Sequence, residues 1–129
     1  QEQVTRMLVA DLTGATLRTS DMTGDSIAGG RVNGADFSYA TLDNLSLARA
    51  EGVGLIARWA EGDVIDAAGG PNFSAADLRQ ADFTHVNMRG WSIGRSNLDG
   101  AKFDDATLPA LEAQGASFRG ASLERAAFI

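Results

Sequence analysis

The stretch NFSAADLRQADFTHVNM, residues 72–88, decides the fold. Phe73, Leu78, Phe83 and Met88 return at every fifth position. Ala76 and Ala81 stand two places before a large residue, and Asp77, Asp82 and Asn87 stand directly before one. Outward toward the C-terminus the beat continues through Ile93, Leu98, Phe103, Leu108, Ala113, Phe118, Leu123 and Phe128. Upstream an equal beat runs through Met7, Leu12, Leu17, Met22, Ile27, Val32, Phe37, Leu42 and Leu47. All six Phe and all three Met of the chain fall on it. Glycine recurs two places after the beat, at Gly14, Gly24, Gly29, Gly34, Gly90, Gly100, Gly115 and Gly120.

A period of five matches neither the helix, which repeats every 3.6 residues, nor the strand, which repeats every two. It describes a chain that turns a corner once per repeat. The large residue and the small one point inward, and the other three point outward. Glycine eases the corner. Successive turns share backbone hydrogen bonds, because buried N–H and C=O groups need partners. One turn alone buries too little, so neighbours must cover it.

The units ADLTG (10–14), ADFSY (35–39), ADLRQ (76–80), ADFTH (81–85), SNLDG (96–100), AKFDD (101–105), ASFRG (116–120) and ASLER (121–125) resemble the pentapeptide-repeat family. That resemblance implies an all-β fold, a right-handed quadrilateral β-helix with four repeats per coil. It implies one solenoid domain over 1–129: about two coils over 5–47, a non-repeat insertion or distorted coil over 48–72, and about three coils over 73–129.

Residues twenty apart then stack in apolar columns: Phe73/Ile93/Ala113, Leu78/Leu98/Phe118, Phe83/Phe103/Leu123 and Met88/Leu108/Phe128. Leu111 would fill the volume that Ala113 leaves. Trp91 occupies a slot otherwise held by a small residue, so either that face bulges or the indole turns outward.

Between Ala48 and Asn72 two readings compete. In the preferred one the segment protrudes and carries a short helix, with Leu55, Ile56 and Trp59 on one side and Gly62 stopping it. In the other it is a distorted coil, with Leu55, Ala60, Ile65 and Gly70 five apart in a shifted frame.

Composition narrows the function. The 129 residues carry a net charge of −6 and an estimated pI of 4.6, which opposes non-specific binding to nucleic acid or anionic lipid. No cysteine is present, which excludes disulfides and thiolate chemistry. No apolar run is long enough to span a membrane. The N-terminus lacks a signal-peptide pattern and an initiator Met. It fits a processed chain or a piece of a longer one, and leans toward the cytoplasm. Repeats reaching Phe128 and Ile129 leave an apolar end that calls for a cap, a further domain or a second copy.

Nothing in the sequence reads as catalytic, cofactor-binding or metal-binding. His85 reads as a solvated surface histidine, and Asp99, Asp104 and Asp105 as outward acids. The G-x-G-x-x-A match at Gly52, Gly54 and Ala57 lacks the βαβ unit a dinucleotide site requires. Asn44-Leu-Ser46 and Asn72-Phe-Ser74 match a glycosylation pattern that the repeat itself generates.

The expected role is a non-enzymatic interaction or scaffold module. Its partner would be another protein, an end-to-end homodimer or a larger assembly, with no direct nucleic-acid contact. Leu55, Ile56, Trp59, Trp91 and Phe128 are the candidate contacts. The resemblance raises an alternative: some pentapeptide-repeat proteins bind type II topoisomerases such as gyrase through an acidic, DNA-like surface and so protect them from quinolones. The outward charges here alternate in sign, as in Asp11 against Arg31, Arg18 against Asp36 and Asp77 beside Arg79, and form no clean carboxylate ladder.

Overall fold

The computed structural model describes residues 10–62, 70–108 and 113–128. Leu111, expected to fill core volume, lies outside the described residues. Each five-residue repeat forms one face. Its inner pair is Ala10 and Leu12 in the first repeat, its outward bridge residue is Asp11, and Thr13 and Gly14 turn the corner. Four faces make a coil, and parallel bridges stack the coils: Asp11 on Arg31, Arg31 on Glu51, Glu51 on Asp77, Asp77 on Asn97 and Asn97 on Ser117. By this register coils begin at residues 10, 30, 50, 76, 96 and 116.

The backbone accounts for the sequence alphabet. Leu12 N–H donates to Arg31 O, Arg31 N–H to Ala10 O and Gly14 N–H to Asn33 O, all between coils. Ala15 N–H closes the corner on Leu12 O, with Gly14 at φ 71° in the third turn position. That leaves the amide after the beat residue, Thr13 N–H, without a ladder partner. The Asp11 carboxylate takes it, and Asp21, Asp36, Asn72, Asp77, Asp82, Asn87 and Asn97 do the same for the residue two ahead. Where the bridge residue is Glu51, Ser117 or Ser122, an Asx one coil earlier substitutes. Asn33 accepts from Val53 N–H, Asp99 from Arg119 N–H and Asp104 from Glu124 N–H.

Residues 48–62 correct the preferred reading of the break. They carry no helix. Glu51, Ile56 and Glu61 bridge the coils on both sides, in step with their neighbours. The beat continues through Gly52, Ala57 and Gly62, where the large residues are replaced by very small ones. Leu55 and Ala60 point inward in the ordinary small-residue slots, not in a shifted frame. The displaced volume returns from those slots: Leu45, Leu55 and Trp91 are all fully buried. A Cβ on Gly52 would lie 3.1 Å from Leu78 and 3.3 Å from Val32, so its column neighbours close over it.

Among the described residues the register shifts between Gly62 and Pro71. Bridged residues are 20 apart elsewhere but 26 apart from Ser46–Asn72 to Glu61–Asn87, so six extra residues enter there. Trp91 fits because Gly62 makes room. A Cβ on Gly62 would stand 3.2 Å from Trp91 Cζ2, and the indole Nε1–H donates to Gly62 O at 3.0 Å. The indole stacks on Phe73 at 5.2 Å between centroids and meets Phe83 edge-on. It neither bulges the face nor turns outward.

Candidate interaction corner

Among the described residues twenty corner positions hold a left-handed φ, nine of them glycine and eleven not. Such a residue projects from the edge between two faces, clear of the core. At the corner between the second and third faces the stacked positions are Thr19, Tyr39, Trp59, His85, Asp105 and Arg125. From Tyr39 to Arg125 their side chains form a continuous column. Tyr39 and Trp59 lie parallel, with centroids 6.4 Å apart and planes 3° apart. Trp59 stacks on His85 at 4.0 Å. His85 Nε2 sits 3.7 Å from Asp105, and Asp105 binds the Arg125 guanidinium through both oxygens at 2.7 and 3.0 Å. At the other end the Arg18 guanidinium lies 5.5 Å from the Tyr39 ring centroid and 3.2 Å from Asp36.

Tyr39 is 52% exposed and Trp59 45%. Aromatic residues this open, adjacent on consecutive coils, form a patch of the kind that marks contact surfaces. The Arg125 fork is the largest influence holding the Asp105 carboxyl below the usual carboxylate range, so the Asp105–Arg125 pair stays ionic at neutral pH. Among the described residues no cluster of His, Cys, Asp or Glu suits a metal ion.

The five residues expected from the sequence separate. Leu55 and Trp91 are fully buried, so both are corrected from surface contacts to core residues. Ile56 is half-buried on the second face, bridging Asp36 and Asp82. Trp59 is in the exposed column, and Phe128 is 68% exposed in the last described coil. Sequence reasoning missed Tyr39 and treated His85 as a solitary solvated residue. The signal was available: Tyr39 and Trp59 are twenty residues apart, both two after the beat. The assumed break at residue 48 hid it.

The pentapeptide-repeat family model matches residues 72–108 and 96–129, in eight copies. The bridge-and-turn pattern carries that unit back to residue 10. Residues 72–129 belong to the pentapeptide-repeat family. The chain's solenoid is the right-handed quadrilateral β-helix of pentapeptide-repeat proteins.

Trypsin-treated QnrB1, a plasmid-mediated fluoroquinolone resistance protein, is 26% identical over 80% of this chain, with a TM-score of 0.62. The match covers 47% of that chain, so this protein spans about half its length. Rfr23, a pentapeptide-repeat protein from the cyanobacterium Cyanothece 51142, is 18% identical over 92% of this chain and 87% of its own, with a TM-score of 0.66. Comparison with curated proteins found no match.

On this pentapeptide-repeat rod, acids and bases alternate along the coils. Arg31 lies between Asp11 at 4.0 Å and Glu51 at 3.9 Å. Arg79 grips Asp77 at 2.8 Å, and Arg58 reaches Asp82 at 3.8 Å.

Proposed function

We propose that this protein is a non-catalytic interaction scaffold that meets a protein partner at the Tyr39–Trp59–His85 corner. The observation that carries this reading is the exposed aromatic column itself. The chain spends its core aromatics on packing, yet two large rings stand at adjacent corner positions where the backbone requires nothing of them. Recognition on a rigid frame commonly sits on such projecting edges. The experiment is capture from cell extract by the full chain, compared with Trp59→Asn, together with a size measurement. Loss of capture in the variant supports the reading. Equal capture by both chains removes the corner as the contact.

A second reading is protection of a type II topoisomerase from quinolones, favoured by the likeness to QnrB1. The alternating charge ladders argue against a phosphate-like surface. A gyrase supercoiling assay with and without quinolone decides it. Absence of any effect at micromolar protein excludes it.

A further inference from the structure

The two sides of the aromatic corner differ in charge. On the second-face side each acid beside the column is engaged: Asp36 by Arg18 at 3.2 Å and Asp82 by Arg58 at 3.8 Å. On the third-face side Asp21 and Glu61 are exposed and form no ion pair among the described residues. Glu61 bridges Thr41 and Asn87, so it sits in the strand layer beside the corner and two residues past Trp59. Asp21 flanks Thr19, at the same corner two coils earlier.

The rings present edges more than faces. Tyr39 has Arg18 and Trp59 on its two sides, and Trp59 has Tyr39 and His85. Edges carry donors. Neither the Tyr39 hydroxyl nor Trp59 Nε1–H finds an acceptor among the described residues. A partner segment must therefore supply apolar contact, hydrogen-bond acceptors along its length and positive charge toward the third face. An extended peptide backbone offers carbonyls at regular spacing, and Arg or Lys side chains supply the charge.

We infer that the corner receives an extended, basic segment of a partner protein, with its backbone carbonyls on Tyr39 and Trp59 and its cationic side chains on Glu61 and Asp21. This rests on the proposed role of the corner as a contact and specifies its occupant. Arg18 shows the chemistry within the molecule, a guanidinium held between an aromatic ring and a carboxylate.

The test titrates the full chain and each variant with short peptides alternating Arg with Gly, Glu with Gly and Ser with Gly, measuring affinity by calorimetry in every chain and following Trp59 emission where that residue is present. The Arg peptide is expected to bind and to perturb Trp59. Trp59→Asn keeps a residue tolerant of left-handed φ and should weaken that binding about tenfold, as should Glu61→Gln. Glu51→Gln removes the same charge from another face, where Glu51 faces Arg31, and should change binding less than about twofold. Far-ultraviolet circular dichroism and a cooperative melt verify that each variant folds.

Equal losses in Glu51→Gln and Glu61→Gln would reduce the effect to net charge and overturn the inference. Tighter binding of the Glu peptide overturns it while leaving the corner as a contact. Self-association that alters Trp59 emission replaces the peptide with a second copy and overturns it too. If no peptide binds but Trp59→Asn still abolishes capture from extract, only the basic occupant is lost. If capture is also unaffected, the proposed function falls with it.

Discussion

At each corner a single residue carries the left-handed backbone, and its side chain decides what that corner does. Ala75 holds φ at 58° on an exposed corner with only a methyl group to show for it. Ala75→Gly should therefore raise stability by about 0.5–1 kcal/mol, the left-handed penalty less the added freedom of the unfolded chain. An increase in the urea midpoint at constant slope checks it. Gly62 is the opposite case. A Cβ there would meet Pro71 Cγ at 2.5 Å and Trp91 Cζ2 at 3.2 Å. Gly62→Ala should cost about 1–3 kcal/mol through overpacking, with loss of near-ultraviolet signal from the Trp91–Phe73 stack. At this scale the sequence misled. Size was assigned to position, so Leu55 and Trp91 looked misplaced and Gly52 looked like a break. Packing conserves the volume of a layer, not the size of each slot. Ala50, Gly54 and Ala60 had kept the frame throughout.

Within a repeat, the recurring Asp and Asn are explained by one amide that the ladders do not use. Asp99 serves the coil above it, accepting from Arg119 N–H at 2.9 Å and from the Ser117 hydroxyl. Asp99→Asn keeps an acceptor oxygen there, whereas Asp99→Ala leaves both donors to water. The expected order of melting temperature is wild type, then Asn, then Ala. These carboxylates also set the response to acid. Hydrogen bonds from the side chains of Thr13, Thr23, Arg79, Ser117 and Arg125 are the leading causes that hold Asp11, Asp21, Asp77, Asp99 and Asp105 below the usual range. A carboxyl depressed in the folded state contributes stability above its unfolded pKa, about 4, and loses it as pH falls through the folded value. Melting temperature should thus be flat from neutrality to about pH 5 and drop below about pH 4. The repeat was legible because one hydrogen-bond problem recurs; the exceptions at Glu51, Ser117 and Ser122 were not, because their answer lies one coil away.

Taken whole, the rod behaves as a stack in which each coil touches its neighbours alone, so local changes stay local. That is why its architecture could be read from spacing while its surface could not. The core repeats, but among the described residues the aromatic column occurs once, and its meaning depends on which coils lie adjacent. One feature bears on how such a molecule tolerates rearrangement. Up to Gly62 the inward beat residues have numbers ending in 2 or 7; from Pro71 onward they end in 3 or 8. The six extra residues are thus one repeat plus one residue, a phase slip of a single position. Excising six residues between Gly62 and Pro71 would restore one phase along the whole chain and should give a protein that still melts cooperatively. Excising five keeps the slip but leaves a single residue to absorb it, and every side chain above that point would be asked to face the wrong way. That second deletion should abolish cooperative melting, for the loss of one residue fewer.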